Sequence, residues 1–297
     1  MKKKIKKITK AVIAAAGYGT RFLPATKNQP KEMLPIIDKP IIHYLVEECV
    51  ASGIKDIIIV TRAGQGIMED YFDNSLELEY MLDTNGKEEL LKKVKEIPLL
   101  ANFVYVRQKK NLPYGNATPL LCASPLIDND EAFVYMFGDD LTISDIPVTK
   151  QLMNIFYKER PSAINAVQEM PDSEVERYGT VRYKKKAKYK YEIDEILEKM
   201  PLGKNPSNMC QFGRFVFSYD VINELKNTKT GKGGELWVAD VLNNLAKKGK
   251  RVIAQPIKGE WVTTGDPLRY MQTQVKFALL REDIREPFKK FLNDLKL

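Results

Sequence analysis

The chain has 297 residues, of which 44% are hydrophobic and 29% are charged, an ordinary composition for a globular protein with a substantial core. Its 47 Lys and Arg against 39 Asp and Glu give a net charge of +8, which is mild for this length. No segment approaches the run of about 20 apolar residues that spans a bilayer, so no membrane partner is expected. The lysines fall in local runs, of which only residues 188–191 interleave aromatic side chains. This pattern indicates a solvated surface, and no nucleic-acid partner is expected.

The cysteines and the start of the chain indicate a compartment. Cys49, Cys122 and Cys210 are widely spaced, fit no metal-binding pattern and leave an odd count, so reduced thiols and a cytoplasmic location are expected. Residues 1–7 are rich in lysine, but no small-residue cleavage site follows them. We therefore expect no signal peptide.

The most informative stretch follows the first predicted strand. Residues 11–14 form an apolar run typical of a buried parallel strand, and the run opens into a turn that contains Gly17 and Gly19. Glycine permits positive φ and close approach to a ligand, and successive amides in such a turn can form a concave anion site. Arg21 adds a planar set of donors suited to phosphate, and Lys31 follows between two prolines. Together these residues predict a phosphate-binding loop.

The glycine pattern does not match the two common phosphate-binding fingerprints. The dinucleotide pattern G-x-G-x-x-G fails because Phe22 stands at its third glycine, and the Walker pattern fails because no Gly-Lys-Ser/Thr follows. A Gly-x-Gly turn alone is equally compatible with an ordinary tight turn. The function of the loop therefore has to be inferred from the residues around it.

Strands and helices alternate along the first half of the chain. Besides the first strand, the patterns predict strands at 57–60, 103–106 and 132–137 and helices at 40–52, 65–72, 76–83, 86–95 and 117–124. Such alternation predicts βαβ units and a parallel sheet, in which ligands bind beyond the carboxyl ends of the strands. Because the glycine loop and the Asp139–Asp140 pair both follow strand ends, we expect them to meet at one crevice.

The second half of the chain changes character. Helices are predicted at 148–159, 236–248, 267–281 and 286–295, strands at 163–168, 208–217 and 252–256, and a hairpin from 179–183 to 189–197. Gly213 predicts a bulge or a close backbone approach inside its strand. We therefore predict an α/β fold with a Rossmann-like, mostly parallel mixed sheet flanked by helices and a smaller inserted sheet, in a single domain over residues 1–297.

The chain contains a single histidine, His43, on the first predicted helix. A structural role is expected for it, and Ser-His-Asp chemistry, Cys-His chemistry and His/Cys zinc sites are implausible unless His43 itself takes part. The chemistry of this protein must therefore proceed without imidazole.

Three N-terminal segments carry a family resemblance. Residues 14–27 read Ala-Ala-Ala-Gly-Tyr-Gly-Thr-Arg-Phe-Leu-Pro-Ala-Thr-Lys, residues 30–35 read Pro-Lys-Glu-Met-Leu-Pro, and residues 38–40 read Asp-Lys-Pro. This combination closely resembles the nucleotidyltransferases that act on sugar 1-phosphates, in particular the bacterial UTP–glucose-1-phosphate uridylyltransferases. The resemblance covers roughly residues 9–280 and thins after residue 120.

The resemblance implies a role for each part of the crevice. The implied positions are Arg21, Lys31 and Asp139 for catalysis, Ala16, Gly17, Gly19, Glu32, Gln108 and Gly115 for the nucleotide, Gly179, Glu198 and Lys199 for the sugar phosphate, and Asp139 with Asp140 for Mg²⁺. Residues 8–145 would then form a nucleotide-binding half, 146–270 a sugar-phosphate half and 271–297 the C-terminal helices. The side-chain amide of Gln108 can pair with the uracil edge through both a donor and an acceptor. A dimer or tetramer would suit the family.

Nucleotidyl transfer suits a chain without catalytic imidazole. The attacking phosphate oxygen is already ionised at neutral pH, so the protein has to align two anionic substrates and neutralise the leaving pyrophosphate. Arg21 and Lys31 supply fixed positive charge, and a hydrated Mg²⁺ held by one or two carboxylates supplies the rest. The expected reaction converts UTP and α-D-glucose 1-phosphate into UDP-glucose and pyrophosphate.

Three positions depart from the family pattern. Met200 replaces the proline of its Glu-Lys-Pro, Trp237 replaces a glutamine, and Thr263 stands where its Asp-x-Gly has a metal-binding aspartate. Because a hydroxyl is a poor Mg²⁺ ligand beside a carboxylate, the metal site is expected to be weaker, rebuilt from Glu260 or Asp266, or carried by the aspartate pair at 139–140 alone.

Two alternatives stay open at this point. The substrate could be another sugar 1-phosphate or a thymidine nucleotide. The chain could also be a catalytically weak relative that binds a nucleotide sugar and regulates another process, an alternative that rests on Thr263.

Overall fold

The computed structural model describes residues 6–201 and 203–295. Its strands are β1 (Lys10–Ala14), β2 (Pro35–Ile36), β3 (Lys39–Pro40), β4 (Asp56–Thr61), β5 (Asn102–Arg107), β6 (Ala132–Phe137), β7 (Asp140–Ile143), β8 (Ala163–Glu169), β9 (Gly179–Tyr183), β10 (Ile193–Glu198), β11 (Met209–Ser218), β12 (Val252–Pro256) and β13 (Glu260–Thr263). Its α-helices are α1 (Ile41–Ser52), α2 (Ile67–Tyr71), α3 (Leu76–Thr84), α4 (Glu88–Glu96), α5 (Thr118–Ala123), α6 (Val148–Glu159), α7 (Tyr219–Leu225), α8 (Val238–Lys247), α9 (Pro267–Leu280) and α10 (Arg285–Asp294). Most of the lysine-rich start, and residues 296–297 of the predicted C-terminal helical segment, lie outside the described residues.

In the described part of the chain, nine strands form one mixed central sheet. Its main path runs β10-β9-β11-β6-β1-β4-β5, and β8 and β12 extend it from β11. The strands β6, β1, β4 and β5 are parallel, as the alternation of elements predicts. The long strand β11 is antiparallel to β6, β8 and β9 and so joins the two halves of the chain.

Two small antiparallel sheets accompany the central one. One pairs β2 with β3, and the other pairs β7 with β13. The predicted hairpin forms from β9 and β10, and it pairs with β11 between Thr180 and Cys210, which makes it an extension of the central sheet. The predicted α/β fold is thus confirmed, although the smaller sheets involve other strands than the hairpin. The single domain over residues 1–297, and its division into halves, stay predictions.

Helices cover both faces of the central sheet. Helix α1 buries Leu45, Val46 and Cys49 against one face, and Gly53 ends the helix with a left-handed φ of 92°. Helices α5, α7 and α8 supply buried residues to the second apolar layer. His43 on α1 is buried, with its ring nitrogens 3.2 Å from Glu47 Oε1 and 2.9 Å from the Tyr71 hydroxyl. These contacts agree with the structural role expected for His43.

The residue ranges 6–201 and 203–295 contain no helix that is long and apolar enough to cross a membrane.

Candidate active site

The carboxyl ends of four parallel strands lie at one edge of the sheet. In the register of the strands, Ala14 at the end of β1 pairs with Phe137 of β6 and with Val60 of β4. The amide of Gly138 donates to the carbonyl of Ala14 at 3.0 Å, which places the start of the loop after β6 beside the loop after β1. The glycine loop and the Asp139–Asp140 pair therefore meet, as the sequence predicts.

Within the glycine loop, Gly19 is the position that requires glycine. Its φ is 62°, and a β-carbon there would lie 3.2 Å from Thr26 Cγ2 and 3.3 Å from Lys31 Cβ. Gly17 does not have a left-handed φ, and a β-carbon on it would make only an ordinary 3.7 Å contact with Lys31 Cε. The Thr26 hydroxyl donates to the carbonyl of Gly19 at 2.8 Å and closes the loop.

An ion pair joins the two loops. The ammonium group of Lys31, on a short 3₁₀ turn, lies 2.5 Å from Asp139 Oδ2. Burial favours the neutral form of Lys31, but the Asp139 carboxylate outweighs burial and raises the pKa of Lys31. Burial likewise opposes ionisation of Asp139, and the Lys31 ammonium group overcomes it and lowers the pKa of Asp139. Both groups are therefore charged at neutral pH.

Asp139 is also held through its backbone. The amide and the hydroxyl of Thr264 both donate to its carbonyl, at 2.8 Å and 2.9 Å. Arg21 reaches the same region and donates from Nη1 to the carbonyl of Gly265 at 3.1 Å. The guanidinium group of Arg21, the ammonium group of Lys31 and the Asp139 carboxylate therefore surround one space, because all three line a single cavity.

Asp140 is oriented differently from Asp139. Its Oδ2 accepts from the amide of Gly213 at 2.8 Å and its Oδ1 from Trp261 Nε1 at 2.8 Å. Burial, together with repulsion from Asp139, raises the pKa of Asp140 to about 6. Arg214 Nη2 donates to the backbone carbonyl of Asp140 at 2.6 Å. Asp140 thus lies in a hydrogen-bond network beneath Asp139, and its role as a second Mg²⁺ ligand stays a prediction.

Arg214 anchors this network in the core. It is fully buried; its Nε donates to Glu48 Oε1 at 3.1 Å and Oε2 at 3.0 Å, and its Nη2 donates to Oε2 at 2.9 Å. Its Nη1 donates to the carbonyl of Gly213 at 2.8 Å. Because a buried guanidinium group is stable only with its partners in place, the Arg214–Glu48 pair fixes the peptide that follows Asp140.

Glu32 is a buried carboxyl group beside the ion pair. Burial raises the pKa of Glu32 to about 7. Its Oε2 has no hydrogen-bond partner among the described residues, and its Oε1 lies 4.0 Å from Lys31 Nζ. A β-carbon on Gly138 would lie 2.7 Å from Glu32 Cγ, so glycine at 138 makes room for this side chain.

The predicted nucleobase side is built from β5 and the segment after it. The amide of Gln108 donates to the carbonyl of Thr61 at 2.7 Å, which continues the pairing of β5 with β4. Gly115 has a φ of 137°, and a β-carbon on it would collide with the carbonyl oxygen of Leu236 at 2.2 Å. Glycine at 115 therefore permits a backbone contact between the two halves of the chain.

The predicted sugar side is built from β9, β10 and β11. Gly179 approaches the Glu198 carboxylate so closely that a β-carbon there would lie 2.7 Å from Oε1. The side-chain amide of Gln211 donates through Nε2 to the same oxygen. Burial raises the pKa of Glu198. Lys199 follows with an uncommon left-handed φ of 48°.

Three cavities that share Asp139 form one crevice. The sugar-side cavity has a volume of about 470 Å³ and includes Gly179, Glu198, Lys199 and Asp140. The phosphate-side cavity, of about 550 Å³, includes Gly17, Gly19, Arg21 and Lys31. The base-side cavity, of about 250 Å³, includes Ala16, Glu32, Gln108 and Gly115. The structure thus brings all the predicted site residues together along this crevice.

The donor set around Asp139 fits a hydrated Mg²⁺ but not a metal site made by protein ligands alone. In the part of the chain that the structure describes, no group of three or more His, Cys, Asp and Glu side chains could hold a metal ion. A β-carbon on Gly265 would lie 3.3 Å from both Asp139 Oδ2 and Thr263 Oγ1, so the two side chains face the same space. Mg²⁺ commonly keeps several waters and takes one or two carboxylates together with substrate phosphates.

Several residues of the crevice were not identified from the sequence. Gln211, Phe137 and Tyr114 line it, and Gln211 holds Glu198. A polar residue within the apolar strand 208–217 is a signal that could have identified Gln211. Tyr114 and Phe137 have no such signal, because an aromatic residue beside a loop or at a strand end is equally typical of a core.

The fold and the crevice define a nucleotide-binding α/β protein, and comparison with known proteins gives the family. The sequence model of the nucleotidyl transferase family matches residues 10–278, and the chain belongs to this family. It is 42% identical over 293 residues to UTP–glucose-1-phosphate uridylyltransferase 2 of Staphylococcus saprophyticus, covering 99% of this chain and 100% of the relative. It is 41% identical over 291 residues to the UTP–glucose-1-phosphate uridylyltransferase of Bacillus subtilis, covering 98% of both chains.

A solved structure shares the architecture. A UDP-glucose pyrophosphorylase complexed with UDP-glucose superposes with a TM-score of 0.82 at 37% identity, over 93% of this chain and 100% of the other. The fold expected from the resemblance is confirmed by this likeness.

Proposed function

We propose that this protein transfers the uridylyl group of UTP to α-D-glucose 1-phosphate and releases pyrophosphate, which makes UDP-glucose. The observation that carries the proposal is the continuous crevice, in which the candidate nucleotide and sugar-phosphate residues meet at Asp139. The names of the relatives and the ligand of the solved neighbour support the same substrates.

In this proposal the chain binds and aligns two anions. The phosphate oxygen of the sugar phosphate attacks the α-phosphorus of UTP, a new P–O bond forms, and the bond to the β-phosphate breaks. Arg21 and Lys31 are the two cations at the phosphate-side cavity, and they stabilise the negative charge that develops on the leaving pyrophosphate. No proton has to be removed from the nucleophile, which agrees with the structural setting of His43.

The substrate-recognition residues lie in the other two cavities of the crevice. Gln108 presents its amide to the base, and Glu198, desolvated beside Gln211, accepts hydrogen bonds from sugar hydroxyls. Lys199 binds the phosphate of the sugar. The reacting phosphates then lie between Gln108 on the base side and Glu198 with Lys199 on the sugar side, near Asp139.

We propose Mg²⁺ as the cofactor, held mainly by Asp139, with Asp140 second in line, together with the nucleotide phosphates. When bound, Mg²⁺ would neutralise phosphate charge and help to orient the triphosphate for in-line attack. We further propose a cytoplasmic homo-oligomer, a dimer or a tetramer, without nucleic-acid partners.

One observation favours a second candidate function. Thr263 supplies a hydroxyl where a carboxylate would face Asp139, which weakens metal binding at this point. The second candidate is a protein that binds a nucleotide sugar with weak catalysis and regulates another process.

The proposed function is tested by pyrophosphate release over a panel of UTP, dTTP, CTP and ATP with several sugar 1-phosphates at high Mg²⁺. UTP with glucose 1-phosphate is expected to give the highest kcat/KM. Higher kcat/KM with dTTP or another sugar phosphate would reassign the substrate. Binding of UDP-glucose without turnover on any pair would favour the regulatory candidate.

A further inference from the structure

The side chain of Lys199 is exposed and flexible, so the residues that hold it in place matter for its role. It is exposed at the end of β10, and its left-handed backbone is uncommon for a residue other than glycine. Its amide donates to the carbonyl of Tyr178 at 3.2 Å, which fixes the backbone but not the side chain. A lysine side chain is long and flexible, so a phosphate that binds to it has to order it unless a neighbour already does.

The neighbour is Trp237. The ammonium nitrogen of Lys199 lies 5.0 Å from the centre of the indole ring, a cation–π distance, and tryptophan is the aromatic side chain that attracts cations most strongly. Trp237 lines both the sugar-side and the base-side cavities, so the contact is made inside the crevice.

A third residue closes a triangle of contacts. Trp237 Nε1 donates to the carbonyl of Lys232 at 3.0 Å, and the Nζ of Lys232 lies 3.4 Å from the carbonyl oxygen of Lys199. Lys232 belongs to a tight loop in which Gly233 and Gly234 have left-handed φ values of 69° and 73°. The triangle therefore ties the end of β10 to the glycine-rich loop that precedes α8.

We propose that Trp237 is a positioning residue that holds the Lys199 ammonium group in the crevice for the phosphate of the sugar substrate, and that Lys232 supports it by binding the Lys199 carbonyl. The proposal rests on the proposed function. It assigns a substrate-specific role to a position where the family pattern has glutamine, a side chain that cannot make a cation–π contact.

The test is a kinetic double-mutant cycle with UTP and glucose 1-phosphate. Trp237→Gln is expected to raise the KM for glucose 1-phosphate by about 5- to 10-fold, the effect of losing one cation–π contact, while the KM for UTP stays near the wild-type value. Trp237→Phe, which keeps a ring but loses the N–H group, is expected to lie in between. In Lys199→Ala the substitution Trp237→Gln is expected to have no further effect, because the two act as one unit.

Lys232→Ala is expected to raise the same KM, and Lys229→Ala, on the exposed part of the same loop, serves as the matched control. Additive effects of Trp237→Gln and Lys199→Ala, or equal increases in both KM values, would overturn the proposal, since they indicate a structural role for Trp237. If Trp237→Gln does not fold, Trp237→Phe and Lys232→Ala decide by the same comparison. A wild-type protein without turnover on this pair would instead overturn the proposed function and this proposal together.

Discussion

Lys31 and Asp139 form a largely buried ion pair, with 2.5 Å between Nζ and Oδ2, at the point where the three cavities of the crevice meet. Each group raises the fraction of the other that is charged at neutral pH. The crevice therefore keeps one positive and one negative group in place before any ligand binds. In the proposed function, a nucleoside triphosphate would give Lys31 further anionic partners, and Asp139 would then be available to Mg²⁺.

Arg21→Ala is expected to lower kcat by about 100- to 1,000-fold, the usual effect of removing one preorganised group that stabilises transition-state charge. The free energy of unfolding should change little, because the side chain is exposed and, among the described residues, makes one hydrogen bond, to the carbonyl of Gly265. Lys95→Ala, on the exposed face of α4, is the control for loss of a positive charge. Near-normal kcat in a folded Arg21→Ala protein would contradict the assignment.

Gln108→Ala is expected to reduce the preference for UTP over CTP by about 10- to 100-fold, since one base edge would lose its hydrogen-bond partners in a confined site. The measurement is the ratio of kcat/KM for the two nucleotides. Gln108→Glu keeps the size of the side chain but removes its N–H donors, and it should lower the ratio as well. An unchanged ratio in both variants would place base recognition elsewhere.

The sequence was sufficient to predict the parallel strands of the sheet and the meeting of the loops that follow those strands. Apolar runs such as 57–60 are buried on both faces, and strand polarity then fixes which loops share an edge. The orientation of Asp140 could not be predicted in this way. Successive residues of an extended chain point to opposite sides, and which side faces the crevice depends on Gly213 and Trp261, which are distant in sequence.

The sugar side was predicted from the family resemblance alone. Its geometry depends on contacts between strands, such as Gln211 with Glu198, and on the contact of Lys199 with Trp237. The sequence can single out Gln211 but cannot match either pair of partners, because hairpin register and the path of a glycine-rich loop decide whether the partners meet. The sheet of β7 and β13 was not predicted either, because the two strands are far apart in sequence.

Glu32 predicts a pH dependence of stability. Its folded pKa of about 7 lies above the ordinary value of 4.5, so between these values the folded protein binds more protons than the unfolded chain. The contribution of Glu32 is therefore most favourable at low pH and is lost as pH rises toward about 7. Residue 32 does not titrate in Glu32→Gln. The free energy of unfolding of this variant minus that of the wild type is therefore expected to rise by on the order of 1 to 3 kcal/mol across this interval. Denaturant unfolding at several pH values measures the gain, and a difference that does not change with pH would contradict the assignment.

The metal requirement tests the role of Thr263. Thr263→Asp adds a carboxylate to the space that Asp139 faces, and it is expected to lower the Mg²⁺ concentration for half-maximal turnover several-fold. Thr263→Asn has a similar shape without the charge and is the matched control. Asp139→Asn is expected to lose turnover by at least about 1,000-fold. If Thr263→Asp behaves like Thr263→Asn and Asp139→Asn stays active, the metal is bound elsewhere.

The central claim, transfer of a uridylyl group, is tested most directly by following each phosphate of UTP. The protein is incubated with glucose 1-phosphate, Mg²⁺ and UTP labelled at either the α- or the γ-phosphate, and the products are separated. The α-label is expected to appear in UDP-glucose and the γ-label in pyrophosphate, in equal amounts. Release of the γ-label as inorganic phosphate, or its transfer to the sugar, would contradict the account, as would recovery of both labels in unchanged UTP.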